Sequence, residues 1–386
     1  MKDRAGEPID VVRRRPKSGR PSRRDAMPGA LSRGFAGFPA RVELGASAVA
    51  GVAENDQATA SVMHRPAPTL CASDRHEVCT KTEHVDLQPA NKEGSPMKSK
   101  PITVLVTGAT GQQGGAAVRH LCKRGHRVRG LTRNSNSSAA KAIAQLGAEI
   151  VTGSFDDAAS LKGAVEGVEA VFAMSTPNED PGAEVRQGCA LADAARSARV
   201  KHVVYSSVAS ADKQTGIAHF ESKHKIESHL RSIDVPHTVI APVFFMDNLC
   251  SPWLLPLLKQ GKLELPIRRK RRLQMIGVDD IAAFATSVIE QPGAFLAKRI
   301  EIASDELTGE KIASILSNVS GHYIEYSQMP IEQIREFNRD FATMFEWFDT
   351  VGYGVDIPAL KRRHADITWH KFDKWAKALD WDRLLS

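Results

Sequence analysis

Between residues 101 and about 245, short apolar runs alternate with longer stretches whose apolar positions recur at the spacing of an α-helix. The first run begins at Ile102 and is rich in β-branched residues, as strands buried on both faces are. The pattern predicts further strands at 127–131, 149–152, 170–174, 202–206 and 237–240, and helices over 137–146, 158–165, 182–198 and 218–231. Strands that alternate with helices predict an α/β fold with a parallel, doubly wound sheet.

Beyond residue 245 the alternation loosens. Short strands at 299–303 and 323–327 are predicted on either side of a helix over 308–319. We therefore expect a domain over 101–245 and a smaller α+β domain over 246–386 that completes part of the sheet. Phe341, Phe345 and Phe348 have helical spacing. They form either a buried helix face or a lid over a flat apolar substrate.

Residues 1–96 show neither the apolar spacing of a helix nor that of a strand, and they contain few large apolar side chains. Proline, glycine, alanine, serine and charged residues predominate there, so the segment is predicted to be a disordered tail. The alternative is an over-extended reading frame, because Met97 stands directly before the first predicted strand.

Charge and cysteine content narrow the partners and the location. The net charge is +7, but the first 24 residues hold nine basic and three acidic side chains, so a nucleic-acid partner is not expected. The five cysteines show no metal or redox spacing, so no metal is predicted. No apolar run approaches the ~18 residues that a membrane span needs. We expect a cytoplasmic protein with no membrane association.

Three glycines follow the first strand at a spacing of three: Gly108, Gly111 and Gly114. Unpaired backbone N–H groups and the positive end of the next helix would face a pyrophosphate there. The spacing is one residue longer than that of many dehydrogenases. An ordinary tight turn is the alternative. The polar residues assigned to the same cofactor-binding loop are Thr110, Gln112 and Gln113.

Arg133 follows the second predicted strand, where an NAD site would carry an acidic residue for the ribose hydroxyls. A guanidinium can pair with a 2′-phosphate through two hydrogen bonds. The sequence therefore predicts NADP(H) in preference to NAD(H). The alternative is that Arg133 is an ordinary solvated loop residue.

Candidate ligand-binding residues also follow the later strands, because ligands bind at the carboxyl ends of parallel strands. The carboxylates after the third strand would reach an adenine amino group, although Asp157 serves equally well as a helix cap. Small polar groups follow the fourth and fifth strands, and aromatic side chains that would cover a nicotinamide, or belong to the core, follow the sixth. These candidates are Asp156, Asp157, Ser175, Thr176, Ser206, Pro242, Val243 and Phe244.

Several segments together resemble the NmrA-like family of atypical short-chain dehydrogenases/reductases. The segments are Thr107-Gly108-Ala109-Thr110-Gly111, Thr132-Arg133-Asn134, Tyr205-Ser206-Ser207, His219-Phe220-x-x-Lys223 and Pro242 to Asn248. The resemblance runs from about residue 101 to the C-terminus. It implies an NADP(H)-binding Rossmann domain with a smaller C-terminal domain. Members include redox-sensing regulators and also reductases of quinones, dyes or phenolic ethers.

One position departs from the reductase pattern. Short-chain dehydrogenases use a Tyr as the proton donor, with a Lys four residues later. Here Lys223 is present and His219 stands in the place of the Tyr. The resemblance implies that Lys223 holds the nicotinamide ribose; a surface lysine is the alternative. His219 is either an acid or a helix-start residue without chemistry.

The missing Tyr favours an NADP(H)-binding redox-sensing regulator that acts through a regulatory protein partner, as a monomer or homodimer. The alternative is an NADPH-dependent reductase of a quinone or a similar flat electrophile, which takes its proton from water.

Overall fold

The structure, a computed structural model, describes residues 100–176 and 180–386. The disordered tail or over-extended reading frame predicted for residues 1–96 lies outside the described residues. The strands are β1 Thr103–Val106, β2 Arg127–Thr132, β3 Glu149–Thr152, β4 Ala170–Met174, β5 His202–Ser206, β6 His237–Pro242, β7 Phe244–Phe245, β8 Lys262–Leu265, β9 Arg272–Ile276, β10 Arg299–Ile302, β11 Asp305–Thr308 and β12 Glu325–Gln328.

Helices connect these strands and cover both faces of the main sheet. They are α1 Gln112–Lys123, α2 Ser138–Gln145, α3 Ala158–Val165, α4 Pro181–Ser197, α5 Ala218–Ser232, α6 Leu255–Lys259, α7 Val278–Glu290, α8 Pro292–Phe295, α9 Gly309–Ser320, α10 Ile331–Phe337, α11 Arg339–Thr350, α12 Ile357–Arg363, α13 Phe372–Lys377 and α14 Trp381–Leu385. Two short 3-10 helices lie at Ala211–Lys213 and Met246–Cys250.

Seven parallel strands form the main sheet in the order β3-β2-β1-β4-β5-β6-β10. The chain moves outward from β1 in one direction and then crosses back to β4 to continue in the other. The carboxyl ends of β1 and β4 therefore flank the point where strand order reverses, which is where ligands bind in open α/β sheets. The predicted doubly wound α/β fold is confirmed.

Side chains of β1 alternate between two apolar layers because successive residues of a strand point to opposite faces. Val104 and Val106 pack with residues of α1 and α7 on one face. Leu105 packs with residues of α3, α4 and α5 on the other. All three side chains are fully buried, and each contributes on the order of 1.5–3 kcal/mol from burial. This strand anchors the loop that follows it.

The chain beyond residue 245 contributes to the main sheet and also forms smaller sheets. β10 is an edge strand of the main sheet. A three-stranded sheet has the order β11-β9-β7, and β8 pairs with β12. A second apolar cluster, rich in aromatic side chains, packs against these sheets. A division into two domains at residue 245 stays a prediction.

None of the helices in the described part of the chain has the length and apolar character that crossing a membrane would require. The cytoplasmic location stays a prediction.

Candidate functional site

The glycine loop joins β1 to α1 through a turn that excludes side chains. Gly108 has a positive φ of 59°, a conformation that residues with a Cβ rarely adopt. A Cβ on Gly108 would lie 2.3 Å from the Met174 sulfur, and one on Gly114 would lie 2.2 Å from the Gly108 carbonyl oxygen. The turn closes where the Gly111 N–H donates to that same carbonyl at 2.9 Å. Helix α1 therefore packs against the turn at a distance that glycine alone permits.

The first turn of α1 suits an anion. Gly111 is the N-cap and has no side chain with which to cap the helix, and no acidic residue lies in the first turn of α1. The backbone N–H groups there have no capping side chain, and the helix dipole places positive charge at the same point. Thr110 is half-buried, Gln112 is exposed and Gln113 is buried. A dinucleotide pyrophosphate fits this glycine-lined cradle.

Arg133 lies directly after β2, at the carboxyl edge of the main sheet. Its side chain is exposed, and within the described part of the chain it makes no hydrogen bond or ion pair. Its neighbour Thr132 is engaged, because the Asn134 N–H donates to Thr132 Oγ1 at 3.2 Å. The guanidinium is therefore available for an anion beside the glycine loop.

The two carboxylates after β3 both have protein partners. Asp157 caps α3 by accepting a hydrogen bond from the Ala159 N–H at 3.0 Å, as the capping alternative expected. Asp156 accepts from Gln187 Nε2 on α4 at 3.0 and 3.1 Å. An adenine contact for either carboxylate stays a prediction.

Lys223 is buried at the carboxyl end of β4. Its Nζ donates to the Ser175 carbonyl oxygen at 3.1 Å, to Ser175 Oγ at 3.0 Å and to Glu184 Oε1 at 2.8 Å. Only 9% of the Lys223 side chain and 1% of the Glu184 side chain are exposed. The alternative of a surface lysine does not describe this position, because three acceptors hold the ammonium in the protein interior.

Glu184 is the acceptor at the centre of this group. It also accepts hydrogen bonds from Ser175 Oγ at 2.7 Å and from Ser222 Oγ. Burial by itself raises the pKa of Glu184, but the charge and hydrogen bond of Lys223 and the two serine hydroxyls outweigh it. The net pKa of Glu184 lies below its ordinary value, so the carboxylate is charged. Ser175 Oγ also pairs with the Tyr205 hydroxyl at 2.9 Å.

His219 forms a second, half-buried pair, one helical turn before Lys223. Its Nδ1 is hydrogen-bonded to Asp340 Oδ2 at the start of α11. Asp340 Oδ1 accepts from the Ala218 N–H at 2.7 Å. Burial by itself raises the pKa of Asp340, but the hydrogen bond and charge of His219 and the backbone N–H groups outweigh it, so the net pKa of Asp340 lies below its ordinary value. His219 is thus held by a charged carboxylate.

The aromatic residues of α11 divide between core and site. Phe345 and Phe348 are almost fully buried in the second apolar cluster, which agrees with the alternative of a buried helix face. Phe341 is half-buried and lies edge-on to His219, with the ring centroids 6.2 Å apart. One ring of the three therefore borders the candidate site.

The remaining candidates lie at the ends of β5 and β6. Ser206 is buried, and its Oγ has no hydrogen-bond partner in the described residues. The Val243 N–H donates to the Ile302 carbonyl oxygen at 3.2 Å, and the Pro242 carbonyl oxygen accepts from Ala209 at 2.9 Å. Phe244 pairs with β9 and packs edge-on against Phe348. The Val243 N–H and the Pro242 carbonyl oxygen are thus already paired within the protein. The contacts predicted for Pro242, Val243 and Phe244 with a nicotinamide stay predictions.

The structure brings some predicted residues into contact and adds two that the sequence did not indicate. Lys223 and Ser175 meet directly, and half-buried Thr176 follows Ser175 at the same sheet edge as the glycine loop. The added residues are Glu184 and Asp340. They lie 39 and 121 positions from Lys223 and His219 respectively, so no local spacing marks them.

Comparison with known proteins gives a family match over most of the chain. A sequence model described as the NmrA-like family matches residues 100–378. The chain is 30% identical over 291 residues to an NmrA-like family domain-containing oxidoreductase, hkm9, from Aspergillus hancockii, covering 69% of this chain and 81% of that protein.

Two solved structures share the fold. The triphenylmethane reductase of Citrobacter sp., complexed with NADP(H), has a TM-score of 0.61 and 23% identity over 71% of this chain and 99% of that one. NmrA, a negative transcriptional regulator, in complex with NADP, has a TM-score of 0.60 and 18% identity over 73% of this chain and 99% of that one. The same fold is thus found in a reductase and in a regulator.

Proposed function

Because the chain belongs to the NmrA-like family, we propose that it binds NADP(H) at the carboxyl edge of the main sheet and reduces a quinone or a similar flat electrophile. The observation that supports the binding of NADP(H) is the glycine cradle, where the Gly114 Cα approaches the Gly108 carbonyl so closely that no Cβ fits. A pyrophosphate can then rest against bare backbone at the helix terminus.

Arg133 would select the phosphorylated cofactor. Replacing it with alanine removes charge-assisted hydrogen bonds, worth roughly 1.5–3 kcal/mol, to a 2′-phosphate. We expect Arg133→Ala to weaken NADPH binding by about ten- to a hundredfold and to leave NADH binding unchanged, measured by titration of nicotinamide fluorescence. Arg196→Ala is the matched control, since Arg196 is exposed in the last turn of α4, at the opposite edge of the sheet. If Arg133→Ala weakened the binding of NADPH and NADH equally, the assignment of Arg133 to the 2′-phosphate would be wrong.

Bound NADPH supplies a hydride, and the protein provides position and polarity. For Lys223 to hold the nicotinamide ribose, as the family resemblance implies, a ribose hydroxyl would have to replace one of its three acceptors, two on Ser175 and one on Glu184. A flat apolar acceptor would lie beside the imidazole of His219 and the ring of Phe341, whose centroids are 6.2 Å apart.

The reductase is tested by NADPH consumption with a panel of quinones. We expect NADPH oxidation well above the rate without protein, and a slower rate with NADH. Tight NADPH binding without turnover on any acceptor would reject the reductase and favour the second candidate.

The second candidate is a redox-sensing regulator that passes NADPH or NADP+ occupancy to a regulatory protein partner. It is favoured by the absence of the Tyr that short-chain dehydrogenases use and by the complete engagement of the Lys223 ammonium. Such a protein would change its oligomeric state, between monomer and homodimer, or its partner binding when NADPH replaces NADP+. Light scattering with each nucleotide measures the first of these changes.

A further inference from the structure

Asp340 fixes the position of the His219 ring. One carboxylate oxygen binds Nδ1 of the ring, and the other accepts the Ala218 N–H at the start of the same helix. Phe220 and Phe341 flank the imidazole edge-on, with centroid distances of 4.9 and 6.2 Å. The carboxylate therefore binds both the ring and the backbone that carries it, and the flanking rings restrict its rotation.

This contact determines where the ring proton lies. A charged carboxylate accepts hydrogen bonds only, so Nδ1 must carry the hydrogen. The second ring nitrogen, Nε2, has no protein partner in the described part of the chain and is not sealed from solvent, although the side chain is only 11% exposed. Nε2 is thus the atom through which His219 can exchange a proton.

We infer that His219, oriented by Asp340, donates the proton in the reduction and so takes the role of the absent Tyr. This inference rests on the proposed reductase. A quinone that has accepted a hydride still needs one proton on a carbonyl oxygen. The Nε2–H bond of the imidazolium breaks as the O–H bond of the product forms. The ring is left as the neutral Nδ1–H form, which Asp340 retains, and water returns the proton to Nε2.

Two neighbouring groups are less suited to this role. The Lys223 ammonium is fully engaged with Ser175 and Glu184. The Tyr205 hydroxyl is buried against Ser175, and burial raises the pKa of Tyr205 well above its ordinary value. A group with an accessible exchangeable proton is instead present at His219.

The test compares two acceptors that differ in their need for a proton. A quinone requires a hydride and a proton, whereas a cationic triphenylmethane dye becomes neutral on accepting a hydride at its central carbon. We expect His219→Ala and Asp340→Asn to reduce kcat for the quinone by about a hundredfold, a typical contribution of general acid catalysis. The rate with the dye should stay within about twofold, because general acid catalysis contributes nothing where no proton is transferred. Glu346→Gln is the matched control, since Glu346 is an exposed carboxylate on the same helix as Asp340.

A second measurement requires no turnover. In nitrogen-15 NMR spectra of the protein without nucleotide, the His219 signals should report a hydrogen on Nδ1, identified by their loss in His219→Ala. Asparagine at position 340 presents an N–H to the ring, so Asp340→Asn should move the hydrogen to Nε2. Unchanged NADPH affinity would show that both variants remain folded.

The outcomes separate the inference from the proposed function. Equal loss of quinone and dye reduction would show a structural role for the pair and overturn the inference. An unchanged quinone rate, or a neutral wild-type ring whose single hydrogen lies on Nε2, would overturn it as well. Each of these three results is compatible with the proposed reductase. Failure of the wild-type protein to reduce any acceptor, despite binding NADPH, overturns the reductase and the proton donor together.

Discussion

Gly114→Ala is expected to weaken NADPH binding by more than about a hundredfold and to destabilise the protein. The new Cβ would lie 2.2 Å from the Gly108 carbonyl oxygen, 2.5 Å from its carbon and 2.8 Å from the Thr107 oxygen. All three are backbone atoms, which cannot rotate away as a side chain does. Helix α1 would have to move away from the turn, and the N–H groups proposed to bind the pyrophosphate would move with it. Titration of nicotinamide fluorescence measures the affinity, and urea unfolding measures the stability.

Gly115→Ala is the matched control for this prediction. Gly115 is the next residue of the same helix, and its Cβ would meet nothing nearer than the Ala109 oxygen at 3.5 Å, an ordinary contact. Alanine also favours the helix over glycine by up to about 1 kcal/mol. We expect unchanged NADPH affinity and equal or higher stability. A Gly114→Ala protein that binds NADPH as the wild type does would show that the close approach is not what the cofactor requires.

The main sheet and the glycine loop could be predicted because local sequence determines each. A run of four to six residues is enough to specify a buried strand, and the glycines stand within seven positions of one another. The helix predicted over 137–146 agrees with α2, Ser138–Gln145, to within one residue at each end. Periodicity therefore indicated both the order of the elements and the edge where ligands bind.

The partners of Lys223 and His219 could not be predicted in the same way. Glu184 lies on a different helix from Lys223, and Asp340 lies on α11, far along the chain from His219. Neither carboxylate has a spacing that marks it as buried, and charged residues are usually expected at the surface. The three-stranded sheet β11-β9-β7 was not predicted for another reason. Strand β7 contains only two residues, and β9 begins within a run of cations.

Lys223→Met is expected to destabilise the protein by about 3–5 kcal/mol at neutral pH. Methionine fills a similar volume but leaves the Glu184 carboxylate buried without its counter-charge, which costs more than the pair itself contributes. The double variant Lys223→Met/Glu184→Gln should recover much of this loss, because no buried charge remains. Lys225→Met is the matched control on the same helix, where the lysine is exposed, and should change stability by less than about 0.5 kcal/mol. Urea unfolding curves give all four free energies.

The pH dependence separates a buried charge from a simple packing defect. In the wild-type protein the pKa of Glu184 lies below its ordinary value, so its stabilising contribution is present at neutral pH and is lost as the pH falls through the folded-state pKa. Without Lys223, burial raises the pKa of the same carboxyl, and acidification relieves the penalty by protonating it. The stability gap between wild type and Lys223→Met should therefore narrow from pH 7 to pH 5. A gap that stays constant over this range would contradict an unpaired Glu184 charge in the variant at pH 7.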